Sequence, residues 1–293
     1  MVKIYLIIAF LYTMTACNTP TQYNFEIQGH RGARGLAPEN SMPAFKKALE
    51  LGVHTLELDV VITKDKKVLI SHEPYFSAEI CQDLMGQKID PNLEKEYNIY
   101  QLDYEEVQTY DCGSIGNARF PQQQKQPVQK PLLADMIKEI EEHIKVNKLN
   151  LPKYNIEIKS EPGGDGLFHP DPKEFSDLVY EVIRNTVPKE RLIIQSFDKR
   201  VLQYWNQKYP DYILAYLVEE ALNPNEMNSI LGFAADIYSP YFKALSEELI
   251  KSYHEAKIKV IPWTINEVED MKRVKSWGVD GIITDYPDRV SHL

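Results

Sequence analysis

Residues 55–63 read Thr55-Leu56-Glu57-Leu58-Asp59-Val60-Val61-Ile62-Thr63. Apolar and acidic residues alternate through the first half, and β-branched residues dominate the second, so the stretch reads as a β-strand. Successive side chains of a strand point to opposite faces. Leu56, Leu58 and Val60 therefore share one face, and Glu57 and Asp59 share the other. The fold must bury the first face while giving two carboxylates a common interior.

Outward from this strand, short strand and helix patterns alternate. Residues 25–28 form a strand candidate before it. Met42, Phe45, Ala48 and Leu49 follow at helical spacing, with Ser41 as N-cap and Pro43 in the first turn. Val68-Leu69-Ile70 is a further short strand after the turn at 63–67. Helix candidates then fall at 133–147, 173–186, 199–208, 225–231, 246–256 and 267–276. Strand candidates fall at 154–159, 191–196, 213–218, 235–239, 258–264 and 280–284. With 25–28 and 55–63 this gives eight strand units separated by helices, the pattern of an α/β (β/α)8 TIM barrel. A doubly wound open sheet is the structural alternative; it is disfavoured because no G-x-G-x-x-G follows the first strand. Residues 73–130 break the rhythm. They are polar, rich in Tyr and Gln, and too long for a bare loop, so they read as a small insertion after the second strand. In a barrel, Leu56, Leu58 and Val60 would face the outer helices and the two acids would face the axis.

The 293 residues, 43% hydrophobic and 26% charged, suit one globular domain of barrel size. The net charge of −10 excludes binding to nucleic acid or anionic lipid through bulk charge. The first residues stand apart: Lys3, an apolar run from Ile4 to Tyr12, and Met14-Thr15-Ala16-Cys17. The run is too short for a membrane span and reads as a secretory signal. The Cys after Thr-Ala resembles a bacterial lipoprotein signal. Residues 1–16 are then a signal peptide, Cys17 the lipidated residue of a 17–24 tether, and 25–293 the barrel domain, held at the cell envelope and facing the periplasm. In an exported chain the remaining Cys81 and Cys112 are expected to form a disulfide, whose loop of about thirty residues would contribute roughly 3–4 kcal/mol.

Chemistry-bearing residues gather where strands end. Gly29-His30-Arg31-Gly32 follows the first strand, Ser71-His72-Glu73-Pro74 follows the hairpin, and Glu157-Ile158-Lys159 closes the next strand. The alternation that pairs Glu57 with Asp59 also pairs Glu157 with Lys159. Three carboxylates in one interior repel one another unless a cation joins them. A hard divalent ion on oxygen ligands, Ca²⁺ or Mg²⁺, fits better than Zn²⁺, because no His or Cys stands beside them at zinc spacing. His30 and His72 would supply acid and base, while Arg31 and Lys159 would neutralise a phosphate. Trp263 is an apolar wall for a substrate backbone or part of the barrel packing. Glu39 is taken as structural, Asn40 is left open, and His54, His143, His169, His254 and His292 have no comparable setting.

His30-Arg31-Gly32, Pro38-Glu39-Asn40-Ser41, Glu57-Leu58-Asp59-Val60, Ser71-His72, Glu157-Ile158-Lys159 and Thr284-Asp285-Tyr286-Pro287, in this order, resemble the glycerophosphodiester phosphodiesterase family. The resemblance spans the chain beyond the N-terminal segment. It implies a TIM barrel with an insertion after the second strand, a metal on Glu57, Asp59 and Glu157, acid–base roles for His30 and His72, and phosphate contacts from Arg31 and Lys159. The implied reaction hydrolyses glycerophosphodiesters to sn-glycerol 3-phosphate and an alcohol. The alternatives are a lysophospholipase D or phospholipase-C-like enzyme on intact lipids, and a non-catalytic lipoprotein that binds phosphodiesters. Which histidine is acid and which is base stays open, as does direct water attack against a cyclic phosphate.

Overall fold

In chain order the elements are β1 (Glu26–Gly29), α1 (Met42–Glu50), β2 (Thr55–Ile62), β3 (Val68–Ile70), α2 (Tyr104–Val107), α3 (Leu133–Asn147), β4 (Lys153–Ile158), α4 (Pro172–Ile183), β5 (Leu192–Ser196), α5 (Lys199–Lys208), β6 (Ile213–Val218), α6 (Pro224–Leu231), β7 (Ile237–Pro240), α7 (Glu247–Glu255), β8 (Lys259–Val260), α8 (Val268–Ser276) and β9 (Gly281–Thr284). The computed structural model describes residues 25–293. The signal peptide, Cys17 and the tether expected from the sequence lie outside the described residues.

Parallel pairing runs β8–β7–β6–β5–β4–β2–β1–β9. The two ends of this path meet through backbone hydrogen bonds from Asp280 N to Val260 O (3.0 Å), Ile283 N to Pro262 O (2.9 Å) and Ile265 N to Ile283 O (3.0 Å). The sheet thus curls into a TIM barrel with the helices outside. One strand differs from its sequence reading: 258–264 is regular only at Lys259–Val260. Pro262 has no N–H to donate, yet the segment keeps its place, because Trp263 N reaches Pro240 O (3.1 Å) and Phe242 N reaches Trp263 O (3.0 Å).

The alternation of β2 is realised as read. Leu56, Leu58 and Val60 are fully buried in an apolar layer with Phe45, Ile137, Ile140 and Phe175 from the surrounding helices. Each such side chain contributes about 1.5–3 kcal/mol on burial. Inside the barrel, Ile193, Ala215, Ile237, Ile261 and Ile283 form a separate apolar cluster. Beside it Asn155 Nδ2 donates to Gln28 Oε1 (2.8 Å) and Gln195 Oε1 (2.9 Å), while Asn155 Oδ1 is buried without a partner among the described residues. Ser41 caps α1 by accepting from Ala44 N, with Pro43 in the first turn.

β3 turns back antiparallel on β2, pairing Val61 with Leu69. The chain from there to α3 builds a second small core from Val61, Leu69, Phe76, Ile80, Ile99, Val107 and Tyr110. Cys81 and Cys112, joined by a disulfide, are buried within it. The segment is packed structure of turns, short 3-10 helices and α2, which explains how so long a stretch sits in a barrel.

Candidate active site

The C-terminal ends of the strands carry the polar residues, the face on which barrel enzymes place their chemistry. Glu57 and Asp59 stand two apart on β2, and register sets Asp59 beside Glu157 of β4. One oxygen from each of the three buried carboxylates lies within 4.8 Å of the others. Burial, with Asp59 and Glu157 beside it, pushes the Glu57 carboxyl well above the usual range. Burial likewise pushes Glu157 up to about 7, against the pull of Lys159 and with the push of Asp59. Asp59 is the exception: burial opposes its charge, but His72, Arg31, Lys159 and the Asn40 amide hold it low. Its Oδ1 is buried and accepts no hydrogen bond among the described residues. An orphaned acceptor between two acids that resist ionising together is a set of oxygens short of positive charge. The donor set suits a hard divalent cation.

The loop after β1 is bent to serve this cluster. Arg31 has φ 50 and Asn40 has φ 52, a left-handed backbone that costs a non-glycine residue about 1 kcal/mol or more. Both conformations have a use at the site. The Arg31 N–H donates to Glu57 Oε2 (2.8 Å), and Asn40 Nδ2 donates to Asp59 Oδ2 (2.8 Å). Gly32, between them, has φ 84, and a Cβ there would stand 2.6 Å from the Ala44 backbone. The sharp turn that presents His30 and Arg31 therefore requires glycine.

Each histidine is held by a carboxylate. His30 Nδ1 lies 2.6 Å from Asp285 Oδ1; an ionised carboxylate only accepts, so Nδ1 carries the proton and the Nε2 lone pair faces the site. That Nε2 is 4.0 Å from Glu57 Oε2. Burial and then Arg34 push the His30 pKa down to about 4, against Asp285, so the imidazole is neutral at pH 7. His72 Nδ1 lies 2.6 Å from Glu73 Oε1, and its Nε2 is 3.1 Å from Lys159 Nζ. Burial, followed by Arg31, lowers the His72 pKa as well. Lys159 Nζ also donates to Glu157 Oε1 (2.9 Å), and Arg31 Nη1 pairs with Glu39 Oε1 (2.6 Å).

The structure therefore gathers His30, Arg31, Glu57, His72, Glu157, Lys159 and Trp263 around one cavity of about 200 Å³, with Asp59 beneath it. Trp263 stands on the apolar wall with Leu217 and Ile283, anchored by Nε1 to Ser239 O (2.9 Å). It both lines the cavity and packs in the barrel, against Phe197 (5.4 Å between centroids) and Tyr241 (5.7 Å). Sequence reasoning assigned no role to Arg34, Glu73, Asp285 or Lys130. Arg34 donates to Asp285 from Nε (3.0 Å) and Nη2 (3.2 Å), so the pair braces His30. The only signal was position, since Asp285 closes the last strand as Glu157 closes its own. Lys130 is buried beside Glu39 and Arg31 in an adjoining recess, and burial lowers its pKa to about 8. Glu39, taken as structural, pairs with Arg31 and stands 3.6 Å from Arg34; Asn40, left open, is tied to Asp59. Elsewhere His54 accepts from Ile27 N (3.0 Å) and His254 pairs with Asp280.

Known proteins share this arrangement of strands. A family model described as the glycerophosphoryl diester phosphodiesterase family matches residues 30–289. The glycerophosphodiester phosphodiesterase of Caldanaerobacter subterraneus is 28% identical over 264 residues, covering 90% of this chain and 95% of its own. A Silicibacter pomeroyi crystal structure that carries the same family name superposes with a TM-score of 0.80 at 28% identity, covering 92% of each chain. A phosphodiesterase of Oleispira antarctica, solved with its product sn-glycerol-3-phosphate, superposes with a TM-score of 0.72 over 91% of this chain and 95% of its own. Its 22% identity makes it a likeness of fold.

Proposed function

The chain belongs to the glycerophosphoryl diester phosphodiesterase family, and from that membership we propose that it hydrolyses glycerophosphodiesters to sn-glycerol 3-phosphate and an alcohol, with His30 as base, His72 as acid and one hard divalent cation. The observation that carries this reading is the meeting of three buried carboxylates within 4.8 Å with two carboxylate-held imidazoles at one cavity.

Glu57, Asp59 and Glu157 would hold Ca²⁺ or Mg²⁺, which when bound supplies charge to the phosphate oxygens and lets the three acids ionise together. The chain's own residues do the rest. Arg31 and Lys159 bind the phosphate, Lys as a point charge and Arg through its fork. Trp263, Leu217 and Ile283 exclude water from the apolar edge of the glycerol. His30, neutral and with Nε2 free, takes the proton of the attacking oxygen, and Asp285 steadies the imidazolium that results. His72 delivers a proton to the departing alkoxide. Before substrate arrives, Lys159 donates to its Nε2. An incoming phosphate draws Lys159 away, and its negative charge raises the His72 pKa, so Nε2 takes up a proton from solvent and becomes the donor.

The test is release of glycerol phosphate from glycerophosphocholine, read by a coupled dehydrogenase specific for the sn-3 isomer. Activity should vanish with a chelator and return with Ca²⁺ or Mg²⁺. Activity untouched by exhaustive chelation would remove the metal from this reading, and no release from any diester would remove the reaction. The proposal includes a lipid anchor at Cys17 and an envelope location facing the periplasm, supported by the signal-like residues 3–17. Cys17→Ser should move the enzyme from the membrane pellet to the soluble fraction; retention in the pellet would refute the anchor.

A further inference from the structure

Beside the cavity just described lies a second one, of about 300 Å³. The two share His72, Glu157, Lys159 and Phe197, and only the first reaches His30. On the reading above, the chamber that touches the proton donor but not the base receives the departing alcohol. This inference rests on that reading and extends it to the leaving group.

The walls of this second chamber are unlike those of the first. Pro74, Phe168 and Phe197 are apolar, and beyond the shared Glu157 its acids are Glu73 and Glu161. Phe197 is 39% exposed, with Trp263 (5.4 Å between centroids) and Lys159 Nζ (6.0 Å) against part of its ring. Glu161 forms no ion pair among the described residues, and Glu73 forms only the one with His72. Behind Phe168, at 6.2 Å between centroids, stands Tyr75. Its hydroxyl is pushed up to about 12 by burial and then by the charges of Glu73, Glu94 and Glu161, which marks the rim as electronegative. Lys159, the ammonium of the chamber, lies on the side shared with the phosphate site, paired with Glu157 at 2.9 Å. The far side, at Glu73 and Glu161, carries negative charge alone.

We propose that this chamber selects a leaving alcohol that carries an ammonium group, of the choline or ethanolamine kind. Aromatic faces with nearby carboxylates attract a cation, and best of all one whose charge is spread over methyl groups that need no hydrogen bonds. A neutral polyol would gain nothing from the aromatic faces of Phe168 and Phe197 and has no charge to offer Glu73 and Glu161. An anionic head group would meet Glu73 and Glu161.

The loop bearing the selecting residues is held in place before any ligand comes. His169, 2% exposed, accepts from Glu161 N at Nε2 (3.1 Å) and donates from Nδ1 to Pro170 O (2.8 Å). This ties the loop's two ends together, with Glu161 at one and Phe168 next to the other. Asn98 Nδ2 donates to Leu167 O (2.9 Å), fastening the loop to the insertion. A site ordered in advance loses less entropy on binding.

The experiment compares kcat/KM for glycerophosphocholine and glycerophosphoethanolamine with that for glycerophosphoglycerol and glycerophosphoinositol. The cationic pair should be preferred by about tenfold, and Glu161→Gln or Phe168→Ala should each remove roughly three- to tenfold of that preference through KM. Both variants should keep the rate on glycerophosphoglycerol within about twofold, as neither residue reaches the phosphate. Equal kcat/KM for all four substrates in the wild type would overturn the proposal. So would a Glu161→Gln variant that loses both substrate classes in equal proportion, since this exposed residue can change without disturbing the fold. Failure to cleave any of the four would instead sink the phosphodiesterase reading, and this inference with it.

Discussion

His30 and Asp285 lie 255 residues apart in sequence, yet Nδ1 of one sits 2.6 Å from Oδ1 of the other. Adjacent pairing of β1 with β9, Gly29 against Thr284, puts them side by side where both strands end. Asp285 accepts from Arg34 and from Asn266 Nδ2 (2.8 Å), so it cannot turn away. The consequence is a fixed tautomer whose free lone pair points at the carboxylate cluster. Asp285→Asn offers an amide N–H to the ring and favours the opposite tautomer, with a proton facing the substrate. We expect kcat to fall on the order of 10²-fold or more, close to the His30→Ala loss, while KM stays within a few-fold. A loss confined to KM would contradict the orienting role.

Much of this was legible before the structure. Alternation in 55–63 put Glu57 and Asp59 on one face, and the same period put Glu157 with Lys159, because side-chain direction in a strand is a local property. Helix spans such as 133–147 and 199–208 were readable from apolar spacing and caps. What escaped was anything set by closure. Asp285 and Arg34 act on neighbours whose position depends on which strands meet and how loops fold over them, and Glu73, though next to His72 in sequence, reaches its ring only in the conformation of the folded loop. A carboxylate at a strand end carries no local sign that a histidine from the opposite end of the chain will use it. The recess around Lys130 escaped for the same reason, since the insertion that supplies it has no repeating pattern to read.

Protons and a cation compete for the same oxygens, which sets a pH dependence. The folded chain holds Glu157 up near 7 through burial, and Glu57 is raised as well. A carboxylate whose folded pKa lies above its unfolded value stabilises the fold when protonated, and that contribution is lost as pH rises through the folded pKa. Cation-free protein should thus lose stability from Glu157 between about pH 4.5, the ordinary value, and about pH 7, and from Glu57 over the range above its own ordinary value. A bound cation relieves that loss, so its own affinity must fall as pH drops through the same window. Thermal melts with and without millimolar Mg²⁺ or Ca²⁺ read this directly: the shift should be large at pH 8 and small at pH 5.5. Equal shifts at both pH values would mean that the ion binds elsewhere.

Glu57→Gln separates stability from function. The amide keeps the shape of the side chain and can still accept from Arg31 N, while removing one of three crowded charges. Cation-free Glu57→Gln should be at least as stable as the wild type near pH 7.5, by up to about 1–2 kcal/mol in urea titration. The cation-induced shift in melting temperature should nearly disappear, and the hydrolytic rate should fall by at least about 10²-fold. A variant that melts well below the cation-free wild type would show that Glu57 is held by partners rather than strained by them.

The Cys81–Cys112 disulfide closes a loop with a separation of 31 residues, and it lies within the small core of Phe76, Ile80 and Tyr110. Phe76 and Tyr110 stack at 3.9 Å between centroids, so that core has packing of its own. The bond mainly limits the disorder open to the unfolded insertion. Cys81→Ser with Cys112→Ser should cost about 2–4 kcal/mol. The cost should fall first on the insertion, because the barrel wall, with Leu56, Leu58 and Val60 of β2, belongs to a different apolar cluster and β2 shares only Val61 with the small core. Hydrogen exchange should quicken for amides within 76–112 before it quickens for those of β2, β4 or β5. His72 and Glu73 stand at the threshold of this segment, so the double-serine variant should also lose activity at temperatures where the barrel is still folded. Uniform acceleration across barrel and insertion would show instead that the two unfold as one unit.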